Sequence, residues 1–168
     1  MNPFDLSNKV ICVTGASSGI GRQCAVSCSR MGATVVLLAR NEQRLHETLS
    51  IMDNPDKHVI IPVDLTEYAT VELVVKNIVS QVGRISGVLH CAGISTTLPL
   101  KLVTPEKLAE FFQANVFSAY NLTREVCKMG NFSKEGGSIV FFSSVMGKVG
   151  ENGKSLYGMT KGALVSGT

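Results

Sequence analysis

Short apolar runs alternate with longer stretches of helical periodicity along the whole chain. The apolar runs cover 9–14, 33–39, 58–63, 85–93 and 137–144. The amphipathic stretches between them cover 20–31, 41–52, 67–82 and 105–129. The runs are almost continuously apolar and rich in β-branched residues, which is typical of strands buried on both faces. This alternation predicts a doubly wound α/β fold, a parallel sheet with helices on both faces and strand order 3-2-1-4-5.

The bulk properties predict one globular domain over residues 1–168. Hydrophobic residues make up 45% of the chain and charged residues 17%, which is enough for a substantial core. The formal net charge is only +3 and no basic run occurs, so we predict no nucleic-acid partner. We also predict a cytoplasmic protein with no membrane partner, because no apolar stretch has membrane-spanning length and the N-terminus lacks signal-peptide regions.

The cysteines and histidines predict neither a metal site nor a disulfide framework. The five cysteines are odd in number and none has C-x-x-C spacing, while the three histidines are scattered. Cys24 and Cys28 would share one helix face. A metal or redox pair is the alternative there, but two small core residues are favoured.

The segment TGASSGIG, residues 14–21, lies between the first predicted strand and the first predicted helix. A pyrophosphate approaches backbone N–H groups at a helix N-terminus, and glycines leave room for that approach. A P-loop is excluded because no Gly-Lys-Ser/Thr comes after the glycines, and a purely structural turn is the weaker alternative. The residues predicted to bind a dinucleotide here are Gly15, Ser17, Ser18, Gly19, Ile20 and Gly21.

Tyr157 and Lys161 stand four residues apart, so a helix projects both side chains from one face. A tyrosine with an ordinary pKa near 10 is a poor proton carrier at neutral pH, and a neighbouring cation favours its phenolate. Such a pair often arises by accident on helices. Ser144 strengthens the interpretation because it ends the fifth predicted strand, where ligands bind in open α/β sheets.

These motifs together resemble the short-chain dehydrogenase/reductase family. The resemblance rests on Thr-Gly-x-x-x-Gly-Ile-Gly, the Ser143-Ser144 pair and Tyr-x-x-x-Lys, and it covers the whole chain. It implies a Rossmann fold and catalytic roles for Asn115, Ser144, Tyr157 and Lys161. In these roles Tyr157 gives the proton, Ser144 holds the substrate oxygen and Asn115 holds a water that links the lysine to solvent. Without the other motifs, a polar residue that kinks or caps a long helix would be the preferred interpretation of Asn115.

The same resemblance extends the predicted cofactor site. It places Asp64 and Leu65, in VDLT after the third strand, at the adenine, although Asp64 is alternatively a cap for the next helix. It places Ala92 and Gly93 at the cofactor ribose. The family usually reads Asn-Asn-Ala-Gly there, and His90-Cys91 replaces the two asparagines. That departure affects a hydrogen bond expected to brace the strand.

The end of the second strand predicts NADP(H) over NAD(H), with NAD(H) still possible. Enzymes that use NAD place a carboxylate there, and this chain has Ala39 followed by Arg40. A guanidinium can grip a 2′-phosphate in two places. The alternatives are that Arg40 is solvated or pairs with Glu42 or Glu47, or that a later strand end lets Glu42 take the ribose.

The region 137–164 resembles the 3-oxoacyl-carrier-protein reductase branch and implies reduction of a ketone or 3-oxoacyl group. The alternatives are an alcohol or sugar dehydrogenase working oxidatively, or an inactive dinucleotide-binding fragment. The resemblance also implies a longer chain, with further strands after residue 168. It implies a small-molecule carbonyl or alcohol substrate and a homodimer or homotetramer built on helices 105–129 and 155–168.

Overall fold

The computed structural model of the protein describes residues 4–168. Its strands are β1 (Val10–Thr14), β2 (Thr34–Ala39), β3 (Val59–Pro62), β4 (Gly87–His90) and β5 (Ser138–Phe141). Its α-helices are α1 (Gly19–Arg30), α2 (Glu42–Leu49), α3 (Tyr68–Val82), α4 (Pro105–Phe112), α5 (Ser118–Val126) and α6 (Ser155–Ser166). The five strands form one parallel sheet in the order β3-β2-β1-β4-β5, which confirms the predicted topology. The strands are shorter than predicted, most of all β4 and β5.

The register of the sheet brings the carboxyl ends of the central strands to one edge. Thr14 at the end of β1 pairs with Leu38 in β2 and His90 in β4. All five residues of β1 are buried, because β1 lies in the middle of the sheet with helices on both faces. The loops after β1 and β4 therefore meet at the same edge, where ligands bind in doubly wound sheets.

Two apolar layers cover the sheet. On one face α1 and α2 pack on β1 and β2, with Val13, Val35 and Leu37 fully buried among them. On the other face α3 and α5 pack on β1, β2 and β4 through residues such as Val75 and Leu122. Alternate residues of each strand enter opposite layers, as a strand period of two requires. No helix in the described part of the chain has the length and hydrophobicity to cross a bilayer.

The predicted single helix over 105–129 needs correction. Thr104 caps α4 as expected, since its hydroxyl accepts a hydrogen bond from the Lys107 N–H at 3.2 Å, and Pro105 is the first helical residue. A π-helical turn at Gln113–Phe117 then separates α4 from α5. An extra residue in a helix rotates all later residues about the helix axis, and such turns are frequent at functional sites. Periodicity alone gave no sign of it, because apolar residues continue through the turn.

Candidate functional site

A cleft of about 730 Å³ lies at the carboxyl edge of the sheet. The predicted dinucleotide residues all line it, namely Gly15, Ser17, Ser18, Gly19, Ile20, Gly21, Arg40, Asp64, Leu65, Ala92 and Gly93. They come from the loops after β1, β2, β3 and β4. The fold thus collects into one cleft residues that are spread over more than seventy positions of sequence.

The loop between β1 and α1 has the geometry of a phosphate cradle. Gly15 has φ +65 and Gly19 has φ +52, a backbone region that favours glycine. A Cβ at Gly21 would collide with the Gly15 carbonyl oxygen. Ser18 precedes α1 without a side-chain capping bond, and the first turn of α1 has no acidic residue. The helix N–H groups there are free for an anion, so a pyrophosphate fits.

The second wall of the cleft is the segment after β4, which touches the phosphate loop. A Cβ on Gly15 would lie 2.9 Å from Ala92 Cα, so only glycine allows this approach. The Ala92 N–H donates to the buried Thr14 hydroxyl at 3.0 Å. Sequence reasoning did not single out Thr14. Its position as the last β1 residue before the glycines was the available signal.

Arg40 and Asp64 face each other at the end of the cleft formed by the loops after β2 and β3. An Arg40 guanidinium nitrogen lies 3.8 Å from Asp64 Oδ2, and the Arg40 side chain is 75% exposed. Asp64 Oδ1 accepts from the Thr66 N–H at 2.9 Å and the Thr66 hydroxyl at 2.7 Å. Burial pushes the pKa of Asp64 upward. The Thr66 hydrogen bonds and Arg40 outweigh that effect and hold the pKa below its usual value.

The structure tests three of the alternatives for this corner of the cleft, and the exposed Arg40 side chain still fits the fourth, a solvated residue. Strand β2 ends at Ala39, and Glu42 is the first residue of α2, outside the residues that line the cleft. Arg40 pairs with Asp64, while Glu47 instead meets Arg22 at 3.0 Å. The alternative pairings of Arg40 with Glu42 or Glu47 were therefore wrong.

A second arginine was missed by sequence reasoning. Arg44 lines the same cleft as Arg40, four residues farther along. The Arg44 N–H donates to the Asn41 side chain at 2.9 Å, which caps α2 and fixes its start. The four-residue spacing of Arg40 and Arg44 was the available signal. Two guanidinium groups and a helix N-terminus suit a bound phosphate.

Tyr157 and Lys161 share one face of α6, as their spacing predicted. The Lys161 ammonium lies 5.7 Å from the centre of the Tyr157 ring, and Lys161 is 6% exposed. It donates to the Phe142 carbonyl at 2.6 Å. Burial lowers the pKa of Lys161, and the nearby Cys91 partly opposes this shift. A buried cation beside a phenol favours phenolate and so facilitates proton transfer from that phenol.

Ser143 and Ser144 come after β5 and have different partners. The Ser143 hydroxyl donates to the Lys161 carbonyl at 2.8 Å, which ties the loop after β5 to α6. The Ser144 hydroxyl accepts from the Met146 N–H at 3.2 Å and caps the short 3₁₀ turn at Val145–Gly147. That turn packs on α6, since a Cβ at Gly158 would lie 2.7 Å from the Met146 carbonyl oxygen. The Ser144 hydroxyl proton stays available for a ligand.

Asn115 lies inside the π turn and is 1% exposed. Its Oδ1 accepts from the Ile94 N–H at 2.7 Å, and its Nδ2 donates to the Ile94 carbonyl at 2.9 Å. Nδ2 also donates to the Thr160 hydroxyl at 3.0 Å. Both amide protons are therefore used. This side chain has no proton left to donate to a water, and its place in the water relay stays a prediction.

His90 braces the end of β4 in place of the asparagine that the family usually has. Its Nε2 lies 2.8 Å from the Thr123 hydroxyl of α5, and its ring stacks on Phe141 at 4.6 Å. Burial lowers the pKa of His90 to about 4, so the ring is neutral at physiological pH. Among the described residues its Nδ1 has no hydrogen-bond partner. The strand-bracing bond expected from asparagine is thus replaced by one from a histidine.

The thiols near the cleft are packing groups. Cys24 and Cys28 of α1 and Cys91 after β4 pack in the same apolar layer. Burial, assisted by the neighbouring thiols, raises the pKa of Cys91 to about 12 and that of Cys28 to about 11. Buried thiols of this kind are inert. In residues 4–168 no group of three or more His, Cys, Asp or Glu side chains is arranged to hold a metal.

Sequence comparison connects this geometry to known proteins. The profile of the family described as short chain dehydrogenase matches residues 9–168. An uncharacterized oxidoreductase of Escherichia coli K12, YciK, is 32% identical over 93% of this chain. The 3-dehydrosphinganine reductase of Danio rerio is 31% identical over 96%. The chain spans 64% and 50% of the lengths of these two relatives.

Solved structures agree with the sequence comparison. A putative short-chain alcohol dehydrogenase of Sinorhizobium meliloti superposes with a TM-score of 0.90 and 27% identity, over 98% of this chain and 66% of its own. A putative short chain dehydrogenase of Escherichia coli CFT073 superposes with a TM-score of 0.86 and 32% identity, over 98% of this chain and 74% of its own. The phosphate cradle, the buried lysine beside Tyr157 and these matches lead to one conclusion: the chain belongs to the short-chain dehydrogenase/reductase family of oxidoreductases.

Proposed function

We propose that this protein reduces the carbonyl group of a small ketone or 3-oxoacyl compound with NADPH. The observation that carries the proposal is the placement of Tyr157 beside the buried Lys161, on a helix tied to the walls of the dinucleotide cleft. The Lys161 ammonium comes close to the cleft, since a Cβ at the cleft residue Gly93 would lie 3.7 Å from Lys161 Nζ, and Tyr157 stands beside that ammonium. Reduction of a carbonyl needs a hydride at carbon and a proton at oxygen.

In this proposal each wall of the cleft holds one part of the dinucleotide. The N–H groups at the start of α1 bind the pyrophosphate, with Gly15 and Gly21 keeping the backbone accessible. Arg40 binds the 2′-phosphate with help from Arg44, while Asp64 and Leu65 contact the adenine. Ala92 and Gly93 border the ribose beside the nicotinamide. When bound, the nicotinamide supplies the hydride.

The chain's own groups manage the proton. The Ser144 hydroxyl donates a hydrogen bond to the substrate carbonyl oxygen and holds it near Tyr157. The Tyr157 hydroxyl gives its proton to that oxygen, and the Lys161 ammonium stabilises the phenolate that remains. Lys161 is held in place by the Phe142 carbonyl, and the loop that carries Ser144 is held by Ser143 bonding to the Lys161 carbonyl.

The choice of a keto substrate is supported by relatives whose names specify one. These include the 3-dehydrosphinganine reductase of Danio rerio and the 3-ketodihydrosphingosine reductase of Bos taurus, which is 30% identical over 96% of this chain. The oxidative alternative has its own support in the glucose and ribitol dehydrogenase homolog 2 of Arabidopsis thaliana, at 30% identity. Kinship to the 3-oxoacyl-carrier-protein reductases remains a prediction, as does a cytoplasmic location.

We further propose a homodimer or homotetramer. Large apolar side chains stay exposed on α5 and α6 or directly beside them, with Phe117 at 47%, Tyr120 at 66%, Met159 at 51% and Val165 at 41%. An exposed apolar patch of this kind is typical of an interface. Light scattering at micromolar protein should give a multiple of the 17.9 kDa chain mass, and a monomer would contradict it.

The test of function is a reduction assay with paired binding measurements. We expect the protein to oxidise NADPH in the presence of a ketone or a 3-oxoacyl thioester and to release an equal amount of alcohol. Calorimetry should show NADPH binding at least about tenfold tighter than NADH, as one charge-assisted bidentate contact implies. Tight NADPH binding without turnover would leave only the dinucleotide-binding alternative. Faster alcohol oxidation at neutral pH would support the oxidative one.

A further inference from the structure

Thr160 lies inside α6 between Tyr157 and Lys161, and it is completely buried. Its hydroxyl donates to the Tyr157 carbonyl at 2.8 Å and accepts from Asn115 Nδ2 at 3.0 Å. A valine would fill nearly the same volume without a polar group. Burying a hydroxyl is costly unless its hydrogen bonds are made. The hydroxyl therefore indicates a role for those two bonds.

The direction of every proton in this chain of bonds is fixed. The Ile94 N–H can only donate and the Ile94 carbonyl can only accept, so the Asn115 amide has one possible orientation. One Nδ2 proton goes to the Ile94 carbonyl, and the other reaches Thr160. The Thr160 oxygen must accept that proton, so its own proton goes to the Tyr157 carbonyl. Flipping the Asn115 amide would break both of its bonds to Ile94.

This chain of bonds joins the dinucleotide cleft to the helix of the proton donor. Ile94 lines the cleft, and a Cβ at Gly93 would lie 3.1 Å from Asn115 Oδ1 and 3.7 Å from Lys161 Nζ. Two other contacts fix the segment just before α6, namely Leu98 N–H to the Gly153 carbonyl at 2.8 Å and Lys154 Nζ to the Thr96 carbonyl at 3.2 Å. The bond between Asn115 and Thr160 instead reaches α6 itself, at a residue between Tyr157 and Lys161.

We propose that Thr160 is a positioning residue. Its hydroxyl locks Asn115, and through Asn115 the Ile94 wall of the cleft, to the turn of α6 that carries Tyr157 and Lys161. The effect on turnover rests on the proposed reductase function, while the effect on the Ile94 wall does not. A small displacement of a reacting group is enough to slow a reaction strongly.

The test compares two replacements of Thr160, one that removes only its hydroxyl group and one that removes only its methyl group. Thr160→Val keeps the shape and removes the hydroxyl, whereas Thr160→Ser keeps the hydroxyl and removes a methyl. Ser29→Ala is the matched control, because the buried Ser29 hydroxyl also donates to the carbonyl three residues earlier, that of Val26, and accepts from a distant group, the Asp53 N–H. Ser29 lies at the end of α1 that points away from the cleft. Each reduction rate is divided by the measured concentration of NADPH-binding sites, so that a smaller fraction of folded protein does not lower the reported rate.

We expect Thr160→Val to lower kcat about tenfold, because the bond that ties Asn115 to α6 is lost together with the bond to the Tyr157 carbonyl. The KM for the ketone should change less than about threefold. Thr160→Ser and Ser29→Ala should stay within about threefold of wild type. Hydrogen exchange of the Ile94 amide should accelerate about tenfold in Thr160→Val and in neither of the other two.

Two results would overturn the positioning role. One is a Thr160→Ser protein as slow as Thr160→Val, which would assign the effect to packing. The other is an Ile94 amide that exchanges equally in all the proteins. If wild type binds NADPH but reduces no ketone, the proposed reductase function fails by itself. The Ile94 exchange then still decides whether Thr160 holds the cleft wall.

Discussion

The sheet has a dinucleotide half, β1 to β3, and a catalytic half, β4 and β5, and the two are stabilised in different ways. In the dinucleotide half, β1 is buried throughout, and the central residues of β2 are buried between the two helical layers. In the catalytic half, β5 alternates between exposed and partly buried residues. The sheet face beside α1 holds a cleft of about 450 Å³ lined by Ile11, Leu89 and Val140.

This difference indicates which interactions position the phosphate loop and which position the catalytic residues. Packing fixes the phosphate loop, since Gly15 and Gly21 lie directly against neighbouring backbone. The catalytic residues instead depend on a set of short hydrogen bonds to α6. Lys161 donates to the Phe142 carbonyl, Ser143 donates to the Lys161 carbonyl, and Asn115 donates to Thr160. The dinucleotide half should therefore work as a binding unit even when the catalytic half is disabled.

The largest expected effect separates binding from chemistry. Tyr157→Phe removes the proton donor, so ketone reduction should fall by about 10²- to 10⁴-fold, while calorimetry gives an NADPH dissociation constant within about twofold of wild type. Tyr120→Phe, on the exposed face of α5, is the control and should keep its activity. A Tyr157→Phe protein that loses both properties together would show that the halves are not independent.

The next effect concerns acid stability and comes from the catalytic half. The pKa of His90 is about 4 in the folded protein because of burial, against about 6.5 when unfolded. Its stabilising contribution is complete above about pH 6.5 and is lost as pH falls toward 4, by up to about 3 kcal/mol. In His90→Phe, the free energy of unfolding measured with urea should depend less on pH between about 6.5 and 4 than in wild type. Replacing the exposed His46 by Phe is the control and should leave that pH dependence unchanged. If the free energy of unfolding changed with pH equally in both variants, His90 would not be the source of the acid sensitivity.

A pair of identical truncations compares the packing of the halves directly. Val36 in β2 is fully buried, whereas Val140 in β5 is 39% exposed. Val36→Ala should cost about 2–3 kcal/mol of unfolding free energy, from lost burial and the cavity left behind. Val140→Ala should cost less than about 1 kcal/mol. Chemical denaturation of both variants measures this, and similar costs would break the comparison.

The smallest effect lies at the adenine end of the dinucleotide half. Arg40→Ala should weaken NADPH binding by about tenfold to a hundredfold, because a charge-assisted bidentate contact is lost. NADH binding should change little. Arg30→Ala, an exposed arginine at the end of α1, is the matched control. An unchanged ratio of the two dissociation constants in Arg40→Ala would assign selectivity elsewhere, with Arg44 as the next residue to replace.

Much of this architecture was predictable because it depends on local sequence. Buried parallel strands are continuous apolar runs, so strand order and the glycine loop could be predicted. The Tyr157–Lys161 pair is a consequence of helical spacing alone. The start of α4 at Thr104 and Pro105 was equally readable, because capping chemistry is local.

The missed features depend on contacts between distant segments. The π turn at Gln113–Phe117 turns Asn115 inward toward Ile94 and Thr160, and no sequence period marks it. The pairing of Arg40 with Asp64 joins loops after two different strands. The use of His90 as a brace needed Thr123, thirty-three residues away. Each needed the fold before it could be recognised.

The central claim is that hydride passes from a dinucleotide in this cleft to a carbonyl carbon while Tyr157 supplies the proton. The most direct measurement traces deuterium from two NADPH samples that are labelled on opposite faces of the nicotinamide C4, with the alcohol product analysed by mass spectrometry. We predict one deuterium on the carbinol carbon with one of the two samples and none with the other, and labelled alcohol formed at least about a hundredfold more slowly by Tyr157→Phe. Unlabelled alcohol from both samples, or labelled alcohol formed equally fast by Tyr157→Phe, would contradict the claim.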